Sequence, residues 1–210
     1  GRSFQLFQAM NRLAEEKRPN WITQSYAAVE VEDLQAQLLP GEIMLQYLYG
    51  KESNYPALFA MVLSQSGLEV KRLGELPYLD AHIDSFRNAI TAYWGKYQAC
   101  IQSPSDCDSS ADVTYSRLGS QLYQQLWEPL FSERKPEEFP LRVILIPQRK
   151  LSILPFGALL TEDVEEIGAY RTYPYLIQKF EVQQAYSGQI WWIQNTSNTS
   201  YGGEVSLAMA

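Results

Sequence analysis

Histidine is almost missing from these 210 residues: there is one, His82, alongside two cysteines, Cys100 and Cys107. Chemistry that needs an imidazole beside a thiol has few residues to draw on, and a zinc site would lack ligands at metal spacing. Positive charge is also scarce. Lys+Arg 17 against Asp+Glu 24 leaves a net charge of −7, with the acidic residues dispersed rather than gathered in a tail. That balance argues against a nucleic-acid partner held by phosphate neutralisation. No apolar run approaches the roughly 18 residues of a membrane span, and no short apolar segment with a small-residue cleavage site opens the chain, so no membrane partner is expected. Gly-rich phosphate loops, paired metal-binding triplets and a nucleophile elbow are absent too, and no cofactor is implied.

What is present is ordinary globular composition, 46% hydrophobic and 20% charged, in a length that suits one domain with a real core. The chain opens on Gly1 and closes on Val205-Ser206-Leu207-Ala208-Met209-Ala210, an apolar stretch of strand length. A strand of this kind needs neighbours to cover it, so we read the chain as a piece of a longer polypeptide.

Cys100 and Cys107 fall in a Ser/Asp-rich insertion from about Gly95 to Asp112, where they read as residues of a structurally indifferent loop, disulfide-bonded or free. His82 lies where Leu79, Ile83, Phe86 and Ile90 recur at helical spacing, at the edge of the apolar stripe. That is a common place for a structural histidine, and a His82/Cys100 dyad would require a mobile insertion to hold near-attack geometry. No residue is therefore assigned a catalytic, cofactor-binding or metal-binding role.

Hydrophobic periodicity divides the chain into elements. Residues 3 to 17 carry Leu6, Met10, Leu13 and Ala14 on one helical face, ending before Pro19, and Glu32 to Leu39 reads as a shorter helix with Leu34, Leu38 and Leu39 inward. Ile43 to Tyr49, Ala57 to Leu63 and Leu68 to Leu73 alternate or run apolar between turn residues, which predicts three hairpin-linked strands, the third the most exposed. Helices follow at Tyr78 to Tyr93 and Val113 to Trp127, the second capped by Asp112 and limited by Pro129. Arg142 to Pro147 has the continuous apolar character of a strand covered on both faces. Leu151 to Leu159 turns at Pro155, Phe180 to Tyr186 alternates as a strand, and Ser187 caps a short helix through Gln194. Asn195 to Gly203 reads as a linker to a final strand. The order predicts an α/β layered domain.

Taken together, Leu34 to Tyr47 with its Leu39-Pro40-Gly41-Glu42, the Leu118 to Leu130 run ending Trp127-Glu128-Pro129-Leu130, Val143-Ile144-Leu145-Ile146-Pro147, Leu151-Ser152-Ile153-Leu154-Pro155-Phe156-Gly157-Ala158-Leu159, Tyr175-Leu176-Ile177 and Tyr186-Ser187 resemble the first half of a CHAT domain. This is a caspase-like domain often found behind tetratricopeptide repeats. The resemblance implies an α/β fold with a caspase-like layered sheet and flanking helices, incomplete because it represents the N-terminal half. It divides the chain into a helical connector at 1–40 and that half-domain at 41–210.

The family is a clan of cysteine peptidases whose catalytic His and Cys lie at strand ends in the second half of the domain, so the resemblance places both beyond residue 210. It implies a non-catalytic scaffold or regulatory half of a CHAT-type cysteine endopeptidase in the cytoplasm. Its expected partners are the remaining catalytic half, upstream tetratricopeptide-type repeats and a protein substrate. The alternative expectation is a catalytically dead interaction module, suggested by the 13% aromatic content and the Trp191-Trp192 pair.

Overall fold

A computed structural model describes residues 29–51, 56–102, 110–134, 139–164, 166 and 170–197. Its elements are α1 (Val31–Gln37), β1 (Glu42–Lys51), β2 (Pro56–Ser64), β3 (Gly67–Glu75), α2 (Leu79–Gln102), α3 (Ser110–Leu126), α4 (Glu128–Phe131), β4 (Arg142–Ile146), α5 (Leu176–Lys179), β5 (Glu181–Gln184) and α6 (Gly188–Ser197). They fall into two units: Leu38–Tyr186, which holds the sheet, and Gly1–Gln37 with Ser187–Ala210. In the second unit α1 and α6 pack on each other. The Ser187 hydroxyl accepts the Ile190 N–H at 3.1 Å, the cap expected at the start of α6. The opening helix at 3–17 and the final strand at 205–210 lie outside the described residues.

The sheet has five strands in the order β3-β2-β1-β4-β5. β1, β2 and β3 form the antiparallel hairpins that the turn residues predict, while β4 runs parallel to both β1 and β5. The architecture is thus the expected α/β sheet with flanking helices. On β4, Val143 and Leu145 belong to one face and Ile144 and Ile146 to the other, and all four are buried. A strand covered on both sides needs no polar alternation, which is why its sequence is an unbroken apolar run. β3 is an edge strand with Val70 61% exposed, in keeping with its mixed composition. A register shift opposite Leu58 and Phe59 leaves Leu73 unpaired, and Gly74 takes φ +97° there, a conformation open to glycine without strain.

The main core lies on one face of the sheet. Ile43, Leu45, Tyr47, Leu58, Ala60, Val62, Val143 and Leu145 pack beneath Ile83 and Phe86 of α2 and Leu118, Leu122 and Leu126 of α3. Helical spacing in the sequence gives this stripe directly. Gly119 lets α3 approach closely: a Cβ there would meet Leu160 Cγ at 3.0 Å, and the Gly119 carbonyl accepts the Leu160 N–H at 3.3 Å.

Several boundaries differ from expectation: α6 runs to Ser197, so residues 195–197 of the expected linker are helical, and β5 is only Glu181–Gln184; three other differences have a clear cause. α1 stops at Gln37, leaving Leu38 buried but Leu39 58% exposed, because the residue before Pro40 is driven out of the helical region. α2 continues to Gln102, so residues 95–102 of the expected loop insertion are helical. The helix tolerates Gly95 at a cost of about 1 kcal/mol, and the first strong stop is Ser103-Pro104. α3 starts at Ser110, so Asp112 sits in its first turn instead of capping it and accepts a hydrogen bond from the Tyr170 hydroxyl.

Candidate functional site

Parallel strands β4 and β5 end side by side, and in open α/β sheets the carboxyl ends of such strands are where loops gather around a ligand. Here Pro147 follows β4 and removes the N–H that would extend the ladder. Arg149 then turns the chain with φ +50°, the one non-glycine residue at positive φ among the described residues. The turn is held by the Leu151 N–H on Gln148 O at 3.1 Å and by the Ser152 hydroxyl on Arg149 O at 2.6 Å.

Pro155 and Phe156 send the chain back over the core as the sequence predicts. The Phe156 ring stacks on Tyr47 with centroids 5.7 Å apart and lies 6.2 Å from Trp127. Leu159 and Leu160 are fully buried. Leu159 O accepts the Leu176 N–H at 2.9 Å, which fixes α5 and delivers the chain into β5. The Leu154-Pro155-Phe156 motif is therefore a packing device.

These turns enclose a groove of about 400 Å³ lined by Pro147, Ser152, Gln184, Ala185 and Tyr186. Gln184 Nε2 donates to Ser152 O at 3.1 Å across it, and Ala185 N–H closes on Leu145 O at 2.8 Å. Tyr186 stands 92% exposed at its mouth. None of the lining residues is a carboxylate, imidazole, amine or thiol, and the Ser152 hydroxyl is engaged with a backbone carbonyl. The groove offers neutral hydrogen-bonding surface and an aromatic ring, and its described lining residues include no pair of groups able to move a proton between them.

Towards the start of α3 a tyrosine cluster closes the core. Tyr115 stacks on Phe86 at 5.1 Å and on Tyr173 at 6.2 Å, and its hydroxyl donates to Ala158 O at 2.8 Å. Burial first, then the neighbouring Tyr175, Tyr170 and Tyr173, push the Tyr115 phenol well above its ordinary range. Tyr47 shifts the same way through burial. These phenols stay neutral and serve as hydrogen-bond donors in the core.

His82 is half-buried on α2, its Nδ1 3.5 Å from Gln121 Nε2 and its ring 6.3 Å from Tyr78. Cys100 lies on the same helix, eighteen residues further along, about 27 Å at about 1.5 Å per residue. A continuous helix keeps the two apart, so they form no dyad. Cys107 is outside the described residues. Among the described residues no three of His, Cys, Asp or Glu gather as a metal site. No helix among them is long and apolar enough to cross a membrane.

Sequence reasoning missed the groove and a neighbouring recess beside Tyr49 and Arg149. The one available signal was the position of Pro147 to Ser152 directly after a fully buried strand.

No curated protein matches the chain. The family model described as the CHAT domain matches residues 116–209, a stretch that runs from α3 through β4, the Leu154-Pro155-Phe156 turn and β5. Over this stretch the chain resembles the CHAT domain, a caspase-like family.

Proposed function

We propose that this chain is the non-catalytic, scaffolding half of a CHAT-type cysteine endopeptidase, whose catalytic His and Cys come from polypeptide beyond residue 210. The observation that carries the reading is the neutral groove between Pro147, Ser152, Gln184 and Tyr186, set at the carboxyl ends of parallel strands inside the matched region. A cysteine peptidase needs an activated thiolate and donors for the oxyanion. Among the described residues the lining of this groove offers neither a thiol nor a base, while its hydrogen-bonding surface suits an extended partner segment. In this reading the residues before the sheet connect to upstream tetratricopeptide-type repeats, and the protein substrate is gripped by the whole module.

The test is a thiol-reactive peptide probe applied to residues 1–210 alone and together with the rest of the CHAT polypeptide. Labelling should require the second half and vanish when that half's cysteine is replaced. Labelling of 1–210 alone that disappears in Cys100→Ala would overturn the reading.

A further inference from the structure

A second concavity opens at the same end of the sheet, on the face that carries Tyr47. Tyr49 lies two residues further along β1, on the same face. The recess it lines has a volume of about 230 Å³, with walls of Leu58, Leu76, Pro77 and Leu79 and a rim of Asp80 and Arg149. Leu58 and Leu79 are buried, whereas Asp80 and Arg149 are exposed. The Arg149 guanidinium sits 4.8 Å from the Tyr49 ring centroid, a stacking that orients its N–H fork.

Two features are not explained by folding alone. The Tyr49 hydroxyl is shielded from solvent yet has no hydrogen-bond partner among the described residues, an unfavourable state unless something enters to satisfy it. Asp80 and Arg149 carry opposite charges at one rim, and neither is held in an ion pair by another described residue. Arg149 also holds a left-handed backbone, φ +50°, a strained conformation for a residue with a side chain. Burial, then the Asp80 carboxylate, push the Tyr49 phenol up to about 12, with Arg149 working in the other direction. The hydroxyl is therefore a donor at neutral pH.

We propose that this recess binds a small zwitterion with an apolar body, a free α-amino acid of about the size of leucine. Its carboxylate meets the Arg149 guanidinium and the Tyr49 hydroxyl, its ammonium meets Asp80, and its side chain lies on Leu58, Leu76 and Leu79. A ligand of one charge only would leave the other rim residue unmatched. A longer ligand would outgrow a cavity smaller than the roughly 300–1,000 Å³ of drug-sized sites. The assignment gives this module a small-molecule input separate from the neutral groove.

The experiment is calorimetric titration of the 210-residue chain with leucine, N-acetylleucine and leucinamide, each up to about 10 mM. Leucine should bind, and each analogue, lacking one of the two charges, should bind at least about tenfold more weakly, roughly one charge-assisted hydrogen bond. Arg149→Gly should abolish leucine binding while thermal stability holds or rises, because glycine adopts φ +50° without strain. Tyr49→Phe should weaken binding by about tenfold or more, the worth of one hydrogen bond to a charged acceptor. If leucine does not bind, or binds no better than both analogues, or binds the Arg149→Gly variant as well as the parent, the proposal is overturned. None of these outcomes depends on peptidase activity.

Discussion

Replacing Tyr47 by phenylalanine removes one oxygen from the centre of the core, and its consequence fades as pH rises. Tyr47 is fully buried, and its hydroxyl donates at 2.7 Å to the carbonyl of Leu126, the last residue of α3. That carbonyl is one of those a helix end leaves without an internal partner. Tyr47→Phe keeps the ring and its stack on Phe156 but leaves the carbonyl unsatisfied in an apolar site, a loss of about 1–2 kcal/mol. At about 2–4 °C per kcal/mol for a chain of this size, Tm should fall by roughly 2–8 °C at neutral pH. Above pH 10 the comparison changes. Burial holds the folded Tyr47 phenol far above its ordinary value, whereas an unfolded tyrosine releases its proton from about pH 10. The unfolded state then binds fewer protons than the native state, so stability falls by up to about 1.36 kcal/mol per pH unit. This contribution is fully present below pH 10 and drains away above it, and the variant has none to lose. By about pH 11 the parent has surrendered about 1.4 kcal/mol through this residue, and the two stabilities should meet. The other buried tyrosines act equally on both proteins. Urea unfolding followed by circular dichroism at pH 7, 9, 10 and 11 reads the gap directly. A gap that stays constant to pH 11, or a variant as stable as the parent at pH 7, refutes the argument.

Phe156→Ala should cost about 3–5 kcal/mol in denaturant unfolding, since the ring is buried against both Tyr47 and Trp127 and its loss leaves a void the rigid sheet cannot close. Gly119→Ala should destabilise by about 1–2 kcal/mol despite better helix propensity, because Leu160, tied to Gly119 by a backbone hydrogen bond, cannot retreat from the added methyl; a gain in Tm would contradict this. Arg142 spans Glu42 at 2.6 Å and Glu181 at 3.0 Å. Glu42 is only 8% exposed, and it also accepts the Leu39 N–H at 2.9 Å. Arg142→Met should therefore cost about 1–2 kcal/mol, kept low by solvent reaching the half-exposed arginine, and the double variant with Glu42→Gln should recover part of the loss in a thermal-melt cycle.

What the sequence discloses and what it withholds separate along one physical line, the range of the interaction. Periodicity is local, so the hairpin strands, the amphipathic stripes of α2 and α3 and the double-sided burial of β4 were legible from runs of five to fifteen residues. Stop signals are local as well, and where two compete the stronger wins: Gly95 reads as the start of a loop, but α2 ends only at Gln102, just before Pro104. Sheet order is not local. Nothing within β1 says that it takes β2 on one side and β4, a hundred residues later, on the other. Sites assembled across that order inherit the same invisibility. Tyr49, Asp80 and Arg149 are unremarkable in their own segments, one alternating position in a strand, one acid in a helix's first turn, one base after a buried strand. They acquire meaning only when parallel pairing of β1 with β4 brings the residue after β4 over the aromatic ring near the end of β1. The single histidine has no such cross-strand company, because it lies on α2. A helix position can only look toward neighbours three and four residues away or toward what packs on it, and what packs beside His82 is Gln121, a side chain that neither takes a proton nor attacks a carbonyl.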